Sequence, residues 1–247
     1  MVTEPTRDKL RTLRLFAMAA AWEDQQAHAE VGALAFDDRF GLLVDAEALA
    51  RDNARLTRRL HEAKLKLGQA CLEGIDFPPR RQLEKSLVHQ LASGRWITEH
   101  QNVAITGATG TGKTYIACAL AQQACRLGSR ALYRRLPRLY EELTLAHADG
   151  TYTRFLARLA RIDVLVLDDW GLTPPRDADR RDLLEIVEDR YGIRSTILTS
   201  QLPADHWHEA FGDPALADAI CDRLLHNTHR LVLQGPSRRK EAAPTAL

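Results

Sequence analysis

Up to about residue 98, hydrophobic positions recur with the period of an α-helix, and no run alternates in the manner of a strand. Within the stretch 49–67, one side of a helical wheel is apolar and another is basic. The apolar side carries Leu49, Leu56, Leu60, Ala63 and Leu67. The basic side carries Arg51, Arg55, Arg58 and Arg59. The pattern predicts a basic amphipathic helix in a small, all-helical N-terminal domain at residues 1–73.

The helical pattern breaks at residues 74–81, which read Gly-Ile-Asp-Phe-Pro-Pro-Arg-Arg. A pair of prolines prevents a helix from continuing, because proline lacks the backbone N–H and clashes with the preceding turn. We therefore predict a linker over residues 74–98 and a second domain over residues 99–247.

Short apolar runs alternate with helical segments in the second domain. The runs are residues 102–106, 131–134, 162–167, 196–199 and 231–233. Unbroken apolar strands that alternate with helices are typical of a parallel sheet covered by helices. The expected fold class is therefore α/β, with a five-stranded parallel sheet flanked by helices and preceded by the helical domain.

A glycine-rich loop joins the first apolar run to a helical segment, and it fits the pattern G-x-x-x-x-G-K-[ST]. The loop consists of Gly107, Ala108, Thr109, Gly110, Thr111, Gly112, Lys113 and Thr114. Glycines let successive backbone N–H groups converge on phosphate oxygens, and the helix start adds its positive dipole end. Lys113 would neutralise the charge of the β- and γ-phosphates, and Thr114 offers its hydroxyl to Mg²⁺. The strand–loop–helix order therefore predicts a site for ATP and Mg²⁺.

Polar residues that follow two later strands supply the rest of this chemistry. Asp168 and Asp169 come directly after an apolar run, and Gln201 follows the run that ends at Thr199. Asp168 is expected to hold Mg²⁺ directly or through water, and Asp169 to orient the attacking water or take its proton. The amide of Gln201 suits a group that senses the γ-phosphate or holds the water. The alternatives are aspartates that cap a turn and an ordinary polar strand end.

Composition changes this picture mainly by exclusion. Lys and Arg number 34 against 33 Asp and Glu, so a surface for nucleic acid has to be a local basic face. The 4 cysteines form neither a CxxC pair nor a Cys/His cluster, which argues against a disulfide scaffold and a zinc site. No apolar run reaches the roughly 18 residues that span a bilayer, and no leader-like segment begins the sequence. A cytoplasmic protein without a membrane partner is expected.

The order of the motifs resembles the additional-strand P-loop ATPases of the AAA+ class. More narrowly, it is similar to the IstB-like insertion-sequence ATP-binding proteins, which are relatives of bacterial helicase loaders. The resemblance extends over nearly the whole chain, and two segments near its end are its more specific part. They read Asp222-Arg223-Leu-Leu-His-Asn and Gly235-Pro-Ser237-Arg238-Arg239-Lys240. The chain departs from the family at Ala108, where Pro is more frequent, and at Trp170, where Phe is usual.

The resemblance implies roles for individual residues. Asp168 and Asp169 would serve the metal and the water. Most phosphate-loop ATPases carry Asp-Glu at these positions, where this chain has the shorter Asp169. Gln201 would stand at the first sensor position and Arg239 at the second. Arg223 would be an arginine finger that reaches the ATP of a neighbouring subunit. Because such a finger meets negative charge that develops in the transition state, hydrolysis would depend on a homo-oligomer.

The resemblance further implies an ATP-dependent regulator of DNA transposition. Such a protein assembles on double-stranded target DNA with little sequence preference and recruits a separately encoded transposase. Arginines on two surfaces are candidates for contacts with the DNA backbone. They are Arg51, Arg55, Arg58 and Arg59 on the first, and Arg154, Arg158 and Arg161 on the second. For both sets, a simply solvated face is the alternative.

Two other functions share the same loop. A helicase-loader adaptor of DNA replication would carry the same motifs, and the sequence does not separate it from a transposition protein. A small-molecule kinase is disfavoured, because it needs an acceptor pocket and a lid, and no segment resembles a dedicated acceptor site.

Overall fold

The computed structural model describes residues 3–238. Arg239, the expected second sensor residue, lies outside the described residues. The chain divides into two compact units between Arg58 and Arg59, within a long helix. Among the described residues, no helix is both long and apolar enough to cross a membrane.

The first unit is helical. Its helices are α1 (Thr3–Thr12), α2 (Phe16–Ala27), α3 (Ala29–Gly32) and the larger part of α4 (Phe36–Ala63). The buried carboxylate of Glu47 on α4 accepts hydrogen bonds from the backbone N–H groups of Ala17 and Met18, at 3.0 and 3.1 Å. These bonds hold the pKa of Glu47 below its usual value, with the backbone bond from Met18 as the largest cause. Glu47 thereby satisfies orphan donors in the first turn of α2.

The amphipathic helix is shorter than the sequence pattern predicts. Helix α4 ends at the buried Ala63, and Lys64 adopts a left-handed backbone with φ of 50°. Leu67 therefore lies beyond the helix. Leu49, which was expected on the buried side, is 62% exposed. The helical periodicity of the sequence did not show that the helix ends at Ala63.

The second unit contains a five-stranded sheet. Its strands are β1 (Asn102–Gly107), β2 (Ala131–Arg135), β3 (Val164–Trp170), β4 (Ser195–Ser200) and β5 (Thr228–Leu233). Its helices after α4 are α5 (Lys85–Ala92), α6 (Arg95–Thr98), α7 (Lys113–Arg126), α8 (Leu136–Ala148), α9 (Tyr152–Ala160), α10 (Asp177–Glu188) and α11 (Pro214–Leu225). Every paired strand is parallel, and the order is β2-β3-β4-β1-β5. The predicted five-stranded parallel sheet is confirmed.

The central strands are apolar because both of their faces are covered. Strand β4 is buried along its whole length, and Arg190, which follows α10, supports its start. The guanidinium of Arg190 donates to the carbonyls of Leu159 and Ile162, each at 2.8 Å, and to the carbonyl of Ser195. Burial lowers the pKa of Arg190 to about 9. A buried guanidinium is tolerated here because backbone carbonyls replace the water it has lost.

Parallel strands bring all their carboxyl ends to one edge of the sheet. The ends of β1, β3 and β4 lie side by side, because β4 pairs with both other strands. The residues that follow these strands therefore meet at this edge, where α/β folds place their ligands.

Candidate nucleotide site

The glycine-rich loop lies between the end of β1 and the first residue of α7. Gly107 and Gly112 have positive φ values of 145° and 96°. A Cβ atom on Gly112 would lie 2.7 Å from the guanidinium of Arg81, and one on Gly107 would overlap the carbonyl of Leu233. Glycine is needed at both positions for backbone conformation and for close approach. Since α7 begins at Lys113, the positive end of its dipole faces the loop.

A cleft of about 690 Å³ opens at this loop. The loop contributes Thr109, Gly110, Gly112, Lys113 and Thr114 to its lining. Other segments contribute Lys66, Leu67, Gly74, Arg81, Tyr115, Asp169, Gln201 and Arg238. The volume is within the range of sites that hold a nucleotide-sized ligand. The structure thus brings Lys113, Thr114, Asp169 and Gln201 to one cavity, together with three other predicted residues of the loop.

The amine of Lys113 lies inside the loop. Its Nζ donates to the carbonyls of Gly107 and Ala108 at 2.7 and 2.9 Å, and the residue is 9% exposed. The positive charge is therefore fixed at the place where the loop backbone can surround an anion.

Asp168 is 1% exposed and is surrounded by hydroxyl donors. Thr114 Oγ1 lies 3.0 Å from its Oδ1, and the hydroxyls of Tyr133 and Thr199 also donate to its carboxylate. Burial, together with the neighbouring Asp168, raises the pKa of the Tyr133 phenol, which therefore stays a donor. The carboxylate and the Thr114 hydroxyl are hard oxygen ligands of the kind that Mg²⁺ prefers. These residues fit the predicted metal.

Asp169 has a strained backbone, with φ of 65°. The pairing of β3 with β4 shifts register between Leu167 and Trp170, so Asp169 lies in a bulge. Its Oδ2 accepts a hydrogen bond from Arg135 Nε at 2.8 Å, and this bond raises the pKa of Arg135. Bulges and left-handed non-glycine residues concentrate at sites where a side chain has to be re-aimed. The bulge directs the carboxylate of Asp169 toward the cleft.

Gln201 contacts the loop directly. Its Oε1 accepts a hydrogen bond from Thr109 Oγ1 at 2.8 Å. The amide follows β4, whereas the threonine follows β1, so the contact depends on the pairing of these two strands. The expected first-sensor residue therefore lies beside the phosphate loop.

Arg223 does not line this cleft. Its Nη2 lies 2.8 Å from Glu188 Oε1, and its Nη1 donates to the carbonyl of Ala219 at 2.9 Å. It lines a second, smaller cavity of about 170 Å³ together with Asn102 and Thr196. Because these two residues lie at the starts of β1 and β4, Arg223 lies toward the opposite edge of the sheet from the loop.

Sequence reasoning missed two arginines of this site. Arg81 is 4% exposed and donates to the carbonyl of Thr111 at 3.2 Å, and Asp76 accepts from the same guanidinium. Burial lowers the pKa of Arg81, and the nearby charge of Arg238 adds to this effect. The backbone N–H of Arg238 donates to Gly110 at 3.0 Å, and its guanidinium pairs with Asp76. No spacing rule connects these segments with the loop.

The candidate arginines for DNA contacts fall into different environments. In the first unit, Arg51 pairs with Glu47 at 2.8 Å and Arg55 with Asp52 at 3.0 Å, while Arg58 is exposed on α4. In the second unit, the structure gathers arginines around a cleft of about 560 Å³. They are Arg59, Arg130, Arg154, Arg158 and Arg161. Arg130 was not predicted. Arg59, which the sequence grouped with Arg51, Arg55 and Arg58, lines this cleft together with the arginines at α9.

A model of the IstB-like ATP binding protein family matches residues 8–246. The chain belongs to this family. Insertion sequence ATP-binding protein y4pL of Sinorhizobium fredii is 47% identical over 240 residues, which cover 97% of this chain and 98% of the relative. The ATP-binding protein of insertion sequence IS1162 from Pseudomonas fluorescens is 52% identical over 204 residues, 83% of this chain and 88% of the relative. The resemblance inferred from the motifs is confirmed.

The solved structures of DnaI and of the DnaC helicase loader are similar to this chain. DnaI has a TM-score of 0.58 at 20% identity, with 67% of this chain and 92% of that chain covered. The DnaC helicase loader has a TM-score of 0.54 at 22% identity, with 67% and 97% covered. The IstB-like chain therefore has the P-loop AAA+ fold, as the sequence predicted.

Proposed function

We propose that this IstB-like protein is an ATP-dependent regulator of DNA transposition. It assembles on double-stranded target DNA, hydrolyses ATP at sites shared between subunits, and recruits or stimulates a transposase. The observation that carries the proposal is the single cleft that contains Lys113, Thr114, Asp169 and Gln201 in a chain of the insertion-sequence family.

The residues in and beside the cleft have separate roles in the proposed hydrolysis of ATP. Lys113 neutralises the β- and γ-phosphates, and Thr114 and Asp168 would hold Mg²⁺, which offsets the charge of the same phosphates. Asp169 accepts a proton from the attacking water, because its carboxylate is aimed into the cleft by the bulge. Gln201, which follows the neighbouring strand β4, orients that water.

Arg223 supports a role for assembly. Its guanidinium lies in another cavity, paired with Glu188, so it does not complete the ATP site of its own chain. In the proposed assembly, Arg223 of one copy stabilises the developing phosphoryl charge in the next copy. Hydrolysis by an isolated subunit is therefore expected to be slow.

The arginine-lined cleft of the second unit is the proposed surface for the DNA backbone. Replacing Arg154, Arg158 and Arg161 together with glutamine is expected to weaken binding of duplex DNA. Each lost phosphate contact should reduce the slope of log affinity against log salt concentration by about 0.9. Fluorescence anisotropy with a labelled duplex at several salt concentrations measures both effects.

The matched control replaces Arg51, Arg55 and Arg58 with glutamine. It removes the same charge from the helix of the first unit, where two of the arginines already pair with carboxylates. If the two triple variants bind DNA with equal affinity and equal salt dependence, the cleft is not the contact surface.

Electron microscopy of the protein with duplex DNA and a non-hydrolysable ATP analogue tests the proposed function. A ring or spiral around the DNA that forms only with nucleotide is the expected result. A solitary subunit that hydrolyses ATP at full rate without DNA would contradict the proposal.

The second candidate is a helicase-loader adaptor, since the solved DnaC helicase loader shares the fold. The family match favours transposition, and the partner decides between them. In a pull-down, we expect the chain to retain a separately encoded transposase and not to retain a replicative helicase.

A further inference from the structure

Lys66 faces the expected metal carboxylate from a segment that no motif marks. Its Nζ lies 3.8 Å from Asp168 Oδ2, and the two side chains are 40% and 1% exposed. The hydroxyl partners of Asp168 are neutral, so Lys66 brings a full positive charge to this carboxylate. The same lysine lines the cleft that contains Lys113.

The backbone of Lys66 is anchored, although its side chain is long. The flanking residues Ala63 and Ala70 are 0% and 1% exposed. The backbones of Leu67 and Lys66 oppose the rise in the pKa of the Cys118 thiol that burial causes, so they lie close to this residue of α7. Farther along the segment, the carbonyl of Cys71 accepts from the Tyr115 hydroxyl at 3.4 Å. The segment is thus fixed against α7, and Lys66 can reach both Asp168 and the phosphate loop.

We propose that Lys66 is a positioning residue that exchanges with Mg²⁺ at Asp168. Without the metal, its ammonium neutralises the buried carboxylate. When Mg²⁺ binds at Asp168, repulsion between the two cations drives Lys66 away from this carboxylate. This inference rests on the proposed use of ATP and Mg²⁺ by this site.

This exchange couples the binding of Mg²⁺ to the position of the Lys66 side chain. Lys66 opposes Mg²⁺ by competing for Asp168. It favours metal-free nucleotide because, while it is paired with Asp168, it reduces the repulsion between this carboxylate and the phosphates. By linkage, removal of Lys66 must therefore increase the factor by which Mg²⁺ strengthens ATP binding. A lysine that merely contacts phosphate, with or without metal, would leave that factor unchanged.

The experiment measures binding of a fluorescent ATP analogue to the full chain in excess EDTA and in excess Mg²⁺. Its readout is the ratio of the two dissociation constants, which cancels any general loss of affinity. For Lys66→Gln, the ratio is expected to rise about fivefold relative to the wild type, the size of a partly exposed ion pair. Lys66→Arg, which keeps the charge, is expected to restore the wild-type ratio. Lys64→Gln removes an exposed lysine of the same segment and serves as the control.

The possible results distinguish failure of the exchange at Lys66 from failure of the proposed function. A ratio in Lys66→Gln equal to that of the wild type, or a rise of equal size in Lys64→Gln or Lys66→Arg, overturns the exchange at Lys66. Wild-type protein that binds the analogue in neither condition overturns the proposed function instead. Thermal unfolding of each variant with and without the analogue shows that the compared proteins are folded.

Discussion

Replacing Lys113 with alanine is expected to abolish measurable ATP binding. The ammonium lies within the loop and is the fixed charge nearest to its backbone, at 2.7 Å from the Gly107 carbonyl. A hydrogen bond to a charged group contributes about 1.5–3 kcal/mol, and Lys113 is expected to make more than one to the phosphates. The affinity should therefore fall by at least about 100-fold. Isothermal titration calorimetry with ATP and Mg²⁺ measures this change.

Lys9→Ala is the matched control, because it removes an exposed lysine from helix α1. It should bind ATP as the wild type does. Lys113→Ala also loses two bonds to its own loop, so its thermal unfolding has to be compared with that of the wild type. Undiminished ATP binding by a folded Lys113→Ala protein would refute the assignment of the loop.

Asp169→Asn is expected to trap an ATP-bound assembly on DNA. Asparagine has the same shape as aspartate and tolerates a left-handed backbone well, so the bulge with φ of 65° should persist. The amide does not accept a proton from water, and loss of a general base typically slows a reaction by about 10²–10⁴-fold. Phosphate release should fall accordingly, while ATP affinity stays within about twofold of wild type.

Asp205→Asn provides the comparison for this variant. Asp205 is an aspartate that pairs with Arg230 at 3.3 Å and is 82% exposed. This variant should release phosphate at the wild-type rate. If Asp169→Asn releases phosphate normally and leaves DNA as quickly as the wild type, another group activates the water.

The sheet could be predicted because its central strands are unbroken apolar runs. The predicted boundaries of two strands were wrong, and each error has a physical reason. Strand β5 begins at Thr228 rather than at Leu231, since an edge strand can expose polar residues and so shows a shorter apolar run. Strand β3 continues to Trp170 because the bulge at Asp169 allows pairing to resume. Trp170 packs against Trp207 and Phe211 in the core, which accommodates this departure from the family.

The candidate site was predictable only where its residues are marked by local spacing. Lys113 and Thr114 are set by the loop pattern, and Asp168 follows from its place after a strand. Lys66, Arg81 and Arg238 reach the site through tertiary packing, from segments far away in sequence. A single sequence does not encode such proximity in any periodicity or motif.

The bridge formed by Asp76 joins two distant parts of the second unit. Asp76 accepts from Arg81, which holds Thr111, and from Arg238, which lies 162 residues away and whose backbone holds Gly110. The phosphate loop is thereby held by a segment that precedes the sheet in sequence and by a segment that follows it. Because both segments bond to the loop and to Asp76, the loop cannot be displaced unless both segments move with it or these bonds break.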